Sequence, residues 1–163
     1  MFGCDLWVEV NSISESGAFF DDFNDLNADG WWLGYSQHTP LVNGNWRVED
    51  LGLPHNGVLV QDNGADHFLA LVQNLQNSNQ TVETKLKLNS GSGYGGVVIW
   101  YQDDNHWVSV NVYPAAGLIR VLEDGDTVAG TTYSYFSAEN TWYDFKVIAN
   151  SATGDLDIYV DGA

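Results

Sequence analysis

In the stretch Trp107 to Tyr113, valines stand at 108, 110 and 112, while Trp107, Ser109, Asn111 and Tyr113 take the alternate positions. Side chains of an extended strand alternate between faces, so the valines mark a core face and the other four a second face. Arg120, between Ile119 and Val121, is expected on the matching face of the next strand. Asp144 opposes the Tyr143-Phe145-Val147 face of a third strand, and Trp100 precedes the first of them. Set side by side, Trp107, Asn111, Arg120, Asp144 and Trp100 would line a shallow concave surface. Rings stack on pyranose faces, amides bond hydroxyls, and a guanidinium fork suits vicinal oxygens or a carboxylate. That is the chemistry of carbohydrate recognition. Trp107 serves equally as strand cover, and both readings stay open. Trp46 and Trp142 suit core positions, and Trp31-Trp32 cannot both point inward on one regular strand.

Other chemistries find less support. His38, His55, His67 and His106 form neither His-x-His nor His-Glu-x-x-His, so a zinc-protease site has no basis. No Gly-x-Ser-x-Gly motif or phosphate-cradling Gly-Lys-Ser/Thr loop occurs. Glycoside hydrolysis needs two carboxyl groups about 5–5.5 Å or about 6.5–9.5 Å apart. Glu9 and Glu15 flank a loop, and Glu123, Asp124 and Asp126 surround Gly125 in a turn. The chain is therefore expected not to be an enzyme. Cys4 is the single cysteine, which excludes an internal disulfide.

The charge balance narrows the partners. Asp and Glu number 22 against 5 Lys and Arg, a formal net charge of -17. Such a surface repels phosphate backbones and anionic lipids, so no nucleic-acid partner is expected. No run of about eighteen apolar residues suggests membrane insertion. With 44% hydrophobic residues, including Trp 7, Tyr 8 and Phe 7, the chain can bury a core.

Positioning the candidate face falls to strands. Val82, Thr84, Leu86 and Leu88 alternate with Glu83, Lys85 and Lys87, and Leu156, Ile158 and Val160 with Asp157 and Tyr159. Reversals are marked at Asn43-Gly44, Asn56-Gly57, Asn63-Gly64, Asp124-Gly125 and Asp161-Gly162. The pattern predicts strands at 6–12, 18–23, 31–35, 46–50, 57–61, 67–73, 80–89, 95–101, 106–113, 117–123, 131–135, 141–149 and 154–160. So many short strands imply an all-β domain over 1–163, a two-sheet antiparallel sandwich.

Four stretches carry a family resemblance. They are FFDDFNDLNADGW (Phe19 to Trp31), NWRVEDLGLPHNGVL (Asn45 to Leu59), YGGVVIWYQDDNHWVSVNV (Tyr94 to Val112) and TWYDFKVIANSATGDLDIYVDG (Thr141 to Gly162). Together the chain resembles the concanavalin-A-like jelly-roll domains of the laminin-G-like and glucanase-like superfamily, of the kind attached to bacterial glycoside-processing proteins. The resemblance implies a jelly roll, a lectin-like role and a secreted or cell-surface parent protein. It also implies a structural calcium, with the Asp21-Asp22 pair at the family's opening. Relatives close the fold with a strand after the Val-Asp-Gly hairpin, whereas here Cys4 to Val8 looks like that strand moved to the front. Circular permutation or strand exchange would follow, with Ser12 to Gly17 as joining loop and Asp5 as the second calcium carboxylate; the alternative is an additional leading strand on a truncated domain. Asp25, Asn27 and Asp29 stand in the next loop without completing an EF-hand.

The leading expectation is non-catalytic binding of a polysaccharide or oligosaccharide. The alternative is an adhesive domain that self-associates through an open sheet edge. A hydrolase would need an acidic pair that the sequence pattern does not reveal.

Overall fold

The computed structural model describes residues 6–12, 19–35, 45–53, 57–62, 68–72, 79–89, 93–103, 106–124, 126–135 and 138–162. Within them the chain runs through β1 (Leu6–Ser12), β2 (Trp31–Tyr35), β3 (Arg47–Asp50), β4 (Gly57–Gln61), β5 (Phe68–Val72) and β6 (Gln80–Leu88). It continues through β7 (Gly95–Asp103), β8 (His106–Tyr113), β9 (Leu118–Glu123), β10 (Asp126–Ser134), β11 (Trp142–Asn150) and β12 (Asp155–Val160). A short 3₁₀ turn, Pro114–Ala116, joins β8 to β9. The strands form a six-stranded sheet ordered β12-β11-β6-β1-β4-β3, a four-stranded sheet ordered β10-β9-β8-β7, and a β2-β5 ladder. Every pairing among them is antiparallel.

Period-two patterning explains how the sheets pack. On β6, Val82, Thr84, Leu86 and Leu88 are buried while the residues between them are half-exposed. On β11 the buried set is Phe145, Val147 and Ala149. These residues meet Val97 and Ile99 of β7, Val110 and Val112 of β8, and Ile119 and Val121 of β9 in one apolar cluster. The six-stranded and four-stranded sheets therefore lie face to face, as a β-sandwich in the general sense. Each large side chain buried there contributes about 1.5–3 kcal/mol relative to exposure.

A second cluster joins Phe23, Trp31, Trp46 and Leu59. The strand expected at 18–23 does not form in the described part of that range. Asp21 makes only an isolated bridge, and Phe23 and Leu26 adopt positive φ. Asp and Asn side chains compete for the backbone here. Asp22 accepts from the Asn24 N–H, Asp25 from the Asn27 N–H, and Asn27 from the Asp29 N–H, so the segment turns repeatedly. The loop is clamped onto β4 at Gly57, where a Cβ would come within 1.8 Å of the Phe23 carbonyl oxygen. Strand alternation places Trp31 inward, while Trp32 is exposed.

β1 occupies an interior position of the six-stranded sheet. Leu6 pairs with Gln61 of β4 on one side and with Leu88 of β6 on the other. Residues 1–5 and 13–18, including Cys4, Asp5 and most of the expected joining loop, lie outside the described residues, as do His38, His55 and His67.

Candidate functional site on the four-stranded sheet

β8 and β9 turn alternate side chains away from the shared core. One rung crosses all four strands, with Gly96 opposite Asn111, Asn111 opposite Arg120, and Arg120 opposite Thr132. The neighbouring rungs carry Val98, Ser109 and Leu122 on one side and Tyr113, Leu118 and Ser134 on the other. At Gly96 the backbones of β7 and β8 come so close that a Cβ would lie 1.9 Å from the Val110 carbonyl oxygen. Only glycine permits that approach, which sets β7 against the Asn111 position.

The polar groups of this face are linked. Asn111 Nδ2 donates to Ser109 Oγ at 2.6 Å, and both residues are buried. The Arg120 guanidinium carbon lies 4.8 Å from the centre of the Tyr113 ring. Tyr113 in turn stacks on Tyr94, with centroids 4.7 Å apart and planes 23° from parallel. Arg120, Tyr113 and Tyr94 are half-buried, so this end of the face meets solvent. Burial raises the Tyr113 hydroxyl pKa, and the charge and hydrogen bond of Arg120 act against that rise. The Arg120 Nε is buried without an acceptor, and Arg120 forms no ion pair among the described residues.

The five side chains expected to share one surface are divided among three. Asn111 and Arg120 stand together. Trp107 lies on the same face but is only 6% exposed, so its ring offers little surface for stacking. Its backbone is held by Asp124, whose Oδ1 accepts from the Trp107 N–H at 2.8 Å and whose own N–H donates to the Trp107 carbonyl. Trp100 packs against the main core, because a bulge between Val98 and Trp100 shifts the alternation and pairs Trp100 with Val108. Asp144 is on the other sheet altogether, since β11 pairs with β6 and β12 rather than β9. There it is exposed and bound to the Lys85 ammonium. Tyr94 was not among the residues expected to bind, and its signal was its place one residue before Gly95, opposite Tyr113.

The expected calcium ligands have other work in the described structure. Asp21 Oδ1 accepts from the Phe23 N–H at 2.8 Å and Oδ2 from the Trp31 indole at 2.7 Å. Asp22 accepts from the Asn24 backbone and side chain. Among the described residues no group of three or more His, Cys, Asp or Glu is arranged to hold a metal, and Asp5 lies outside them. His106 shares its Nδ1 with the Asp103 carboxylate at 2.8 Å. No helix of the described residues is long and apolar enough to cross a membrane.

The described residues thus define an all-β arrangement of packed antiparallel sheets, in which the face of the four-stranded sheet turned from the shared core is buried at Trp107, Ser109, Asn111 and Leu122 and half-exposed at Tyr94, Tyr113 and Arg120. Comparisons with protein-family models, with curated proteins and with solved structures find no match to this chain.

Proposed function

We propose that the chain is a non-catalytic carbohydrate-binding module that takes a polysaccharide or oligosaccharide on the outer face of the four-stranded sheet. The observation that carries this reading is the stack of Tyr94, Tyr113 and Arg120 beside Asn111. Such a site combines aromatic surface and a planar donor fork, groups that fix a sugar ring and its hydroxyls. Tyr113 and Tyr94 take over the role first expected of Trp107.

The finer fold reading belongs to the same proposal. It is a concanavalin-A-like jelly roll in which β1 stands in for the family's closing strand, supported by the seat of β1 between β4 and β6. A secreted or cell-surface parent and a structural calcium at Asp5, Asp21 and Asp22 complete it.

Affinity electrophoresis of the whole chain through gels containing neutral or acidic polysaccharides tests the reading, run with calcium and again with EDTA. Retardation by at least one polysaccharide is expected, and it should weaken in Tyr94→Ala and Asn111→Ala. Loss of retardation in EDTA would assign calcium to the folded module. Unretarded migration in every gel, with and without calcium, would sink the carbohydrate role.

A further inference from the structure

The chain has few cations, and the described structure uses them unequally. Arg47 pairs with Glu49 and Asp62, Lys85 with Asp144, and Lys146 with Glu83. Lys87 lies 5.5 Å from the centre of the Trp142 ring. Arg120, like Lys87, rests on a ring, that of Tyr113. Although acids outnumber bases 22 to 5, no carboxylate among the described residues reaches it, and its Nε is buried with no acceptor. A half-buried guanidinium that rests on a phenol ring with no carboxylate among the described residues keeps its charge uncompensated, and so marks a place that an anion would fill.

We infer that Arg120 is the receptor for the carboxylate of an acidic sugar, so that the ligand of this face is a uronate-containing glycan. The inference rests on the carbohydrate reading above and names its substrate class. The guanidinium presents parallel N–H donors that match the two oxygens of a carboxylate. Tyr113 lies beneath that guanidinium, and the register sets Asn111 on one flank and Thr132 on the other. The exposed Thr132 stands where a hydroxyl next to the carboxylate would fall. Long-range repulsion from the acidic surface does not forbid this, because exposed charges are screened beyond about 8 Å at physiological ionic strength.

The test is calorimetric titration of the whole chain with oligomers of galacturonate, glucuronate, mannuronate and guluronate. Each is compared with its carboxyl-reduced counterpart, which keeps the ring and linkage and lacks the charge. At least one uronate oligomer should bind tenfold or more tightly than its reduced twin. Arg120→Lys, which keeps the charge and loses the fork, should abolish most of that preference, while Lys146→Gln on the other sheet should leave it intact. The ligand pairs need only the native chain, so a poorly folded variant does not blunt the comparison. Equal affinity for both members of every pair, or binding of neutral oligomers alone, would overturn the carboxylate assignment and leave the carbohydrate reading standing. Binding of none of the acidic or neutral oligomers would overturn both.

Discussion

The two outer faces of the sandwich handle charge in opposite ways. On the six-stranded sheet, β6 and β11 oppose Lys87 to Trp142, Lys85 to Asp144 and Glu83 to Lys146. Each cation there meets a carboxylate or a ring directly across the strand boundary. Such cross-strand pairs fit a solvated surface that needs no ligand. On the four-stranded sheet, a single cation rests on a tyrosine with no carboxylate among the described residues, beside buried Asn111 and Ser109. The contrast teaches that the first face is complete in itself, while the second has an electrostatic demand still open.

The largest expected effect falls on what the two faces share. Phe145 is 1% exposed in the core between the sheets. Phe145→Ala should cost about 3–5 kcal/mol. Chemical denaturation followed by fluorescence and by circular dichroism should show one coincident transition. Separate transitions would mean that the faces are carried by independent units.

A smaller effect should differ in sign between the faces. Lys146→Met removes one member of an exposed pair and should lose no more than about 1 kcal/mol. Arg120→Met removes a cation that has no carboxylate, and should leave stability unchanged or raise it by about 1 kcal/mol. Urea midpoints of the two variants decide the point. If Arg120→Met proved the more destabilising, the two faces would be equally self-sufficient.

How much of this was legible in the residues themselves follows from what each inference required. The strands at 6–12, 31–35, 57–61 and 106–113 could be read because alternation and turn residues are local signals. The inward face of β8 followed from the same alternation. Trp100 was misplaced because a bulge inserts one residue and shifts everything beyond it to the other face. Asp144 was misplaced because strand order is a long-range property, and nothing near β11 indicates that its neighbour is β6. That no carboxylate among the described residues reaches Arg120 was invisible for the same reason, since it depends on where distant acids come to rest. The turns at 21–29 were hidden behind Phe19, Phe20 and Phe23, whose types suit a strand better than the Asp and Asn side chains between them allow.

The smallest expected effect sharpens the comparison from the pH side. Burial raises the Tyr113 pKa, and Arg120 opposes the rise. A raised phenol pKa means that the folded state holds its proton more firmly than the unfolded chain. That contribution to stability is complete below about pH 10, the ordinary tyrosine value, and is lost as pH climbs through the raised one. Absorbance titration near the phenolate band should show a late component that Tyr113→Phe removes. In Arg120→Met the same component should move later still. An unchanged titration in Arg120→Met would mean that the cation does not act on the phenol.

The seat of β1 has a consequence for how the chain reaches its folded state. Leu6 to Val8 precede both of their partners in the chain, yet they bond to Leu59–Gln61 on one side and Leu86–Leu88 on the other. A strand made before both of its neighbours must therefore wait until β6 exists before it can take its place between them. Closing so long a loop is slow compared with forming a hairpin, and it leaves the strand without partners in the interval. The middle of the larger sheet is thus assembled out of sequence order, with β1 locked in only after both of its later neighbours.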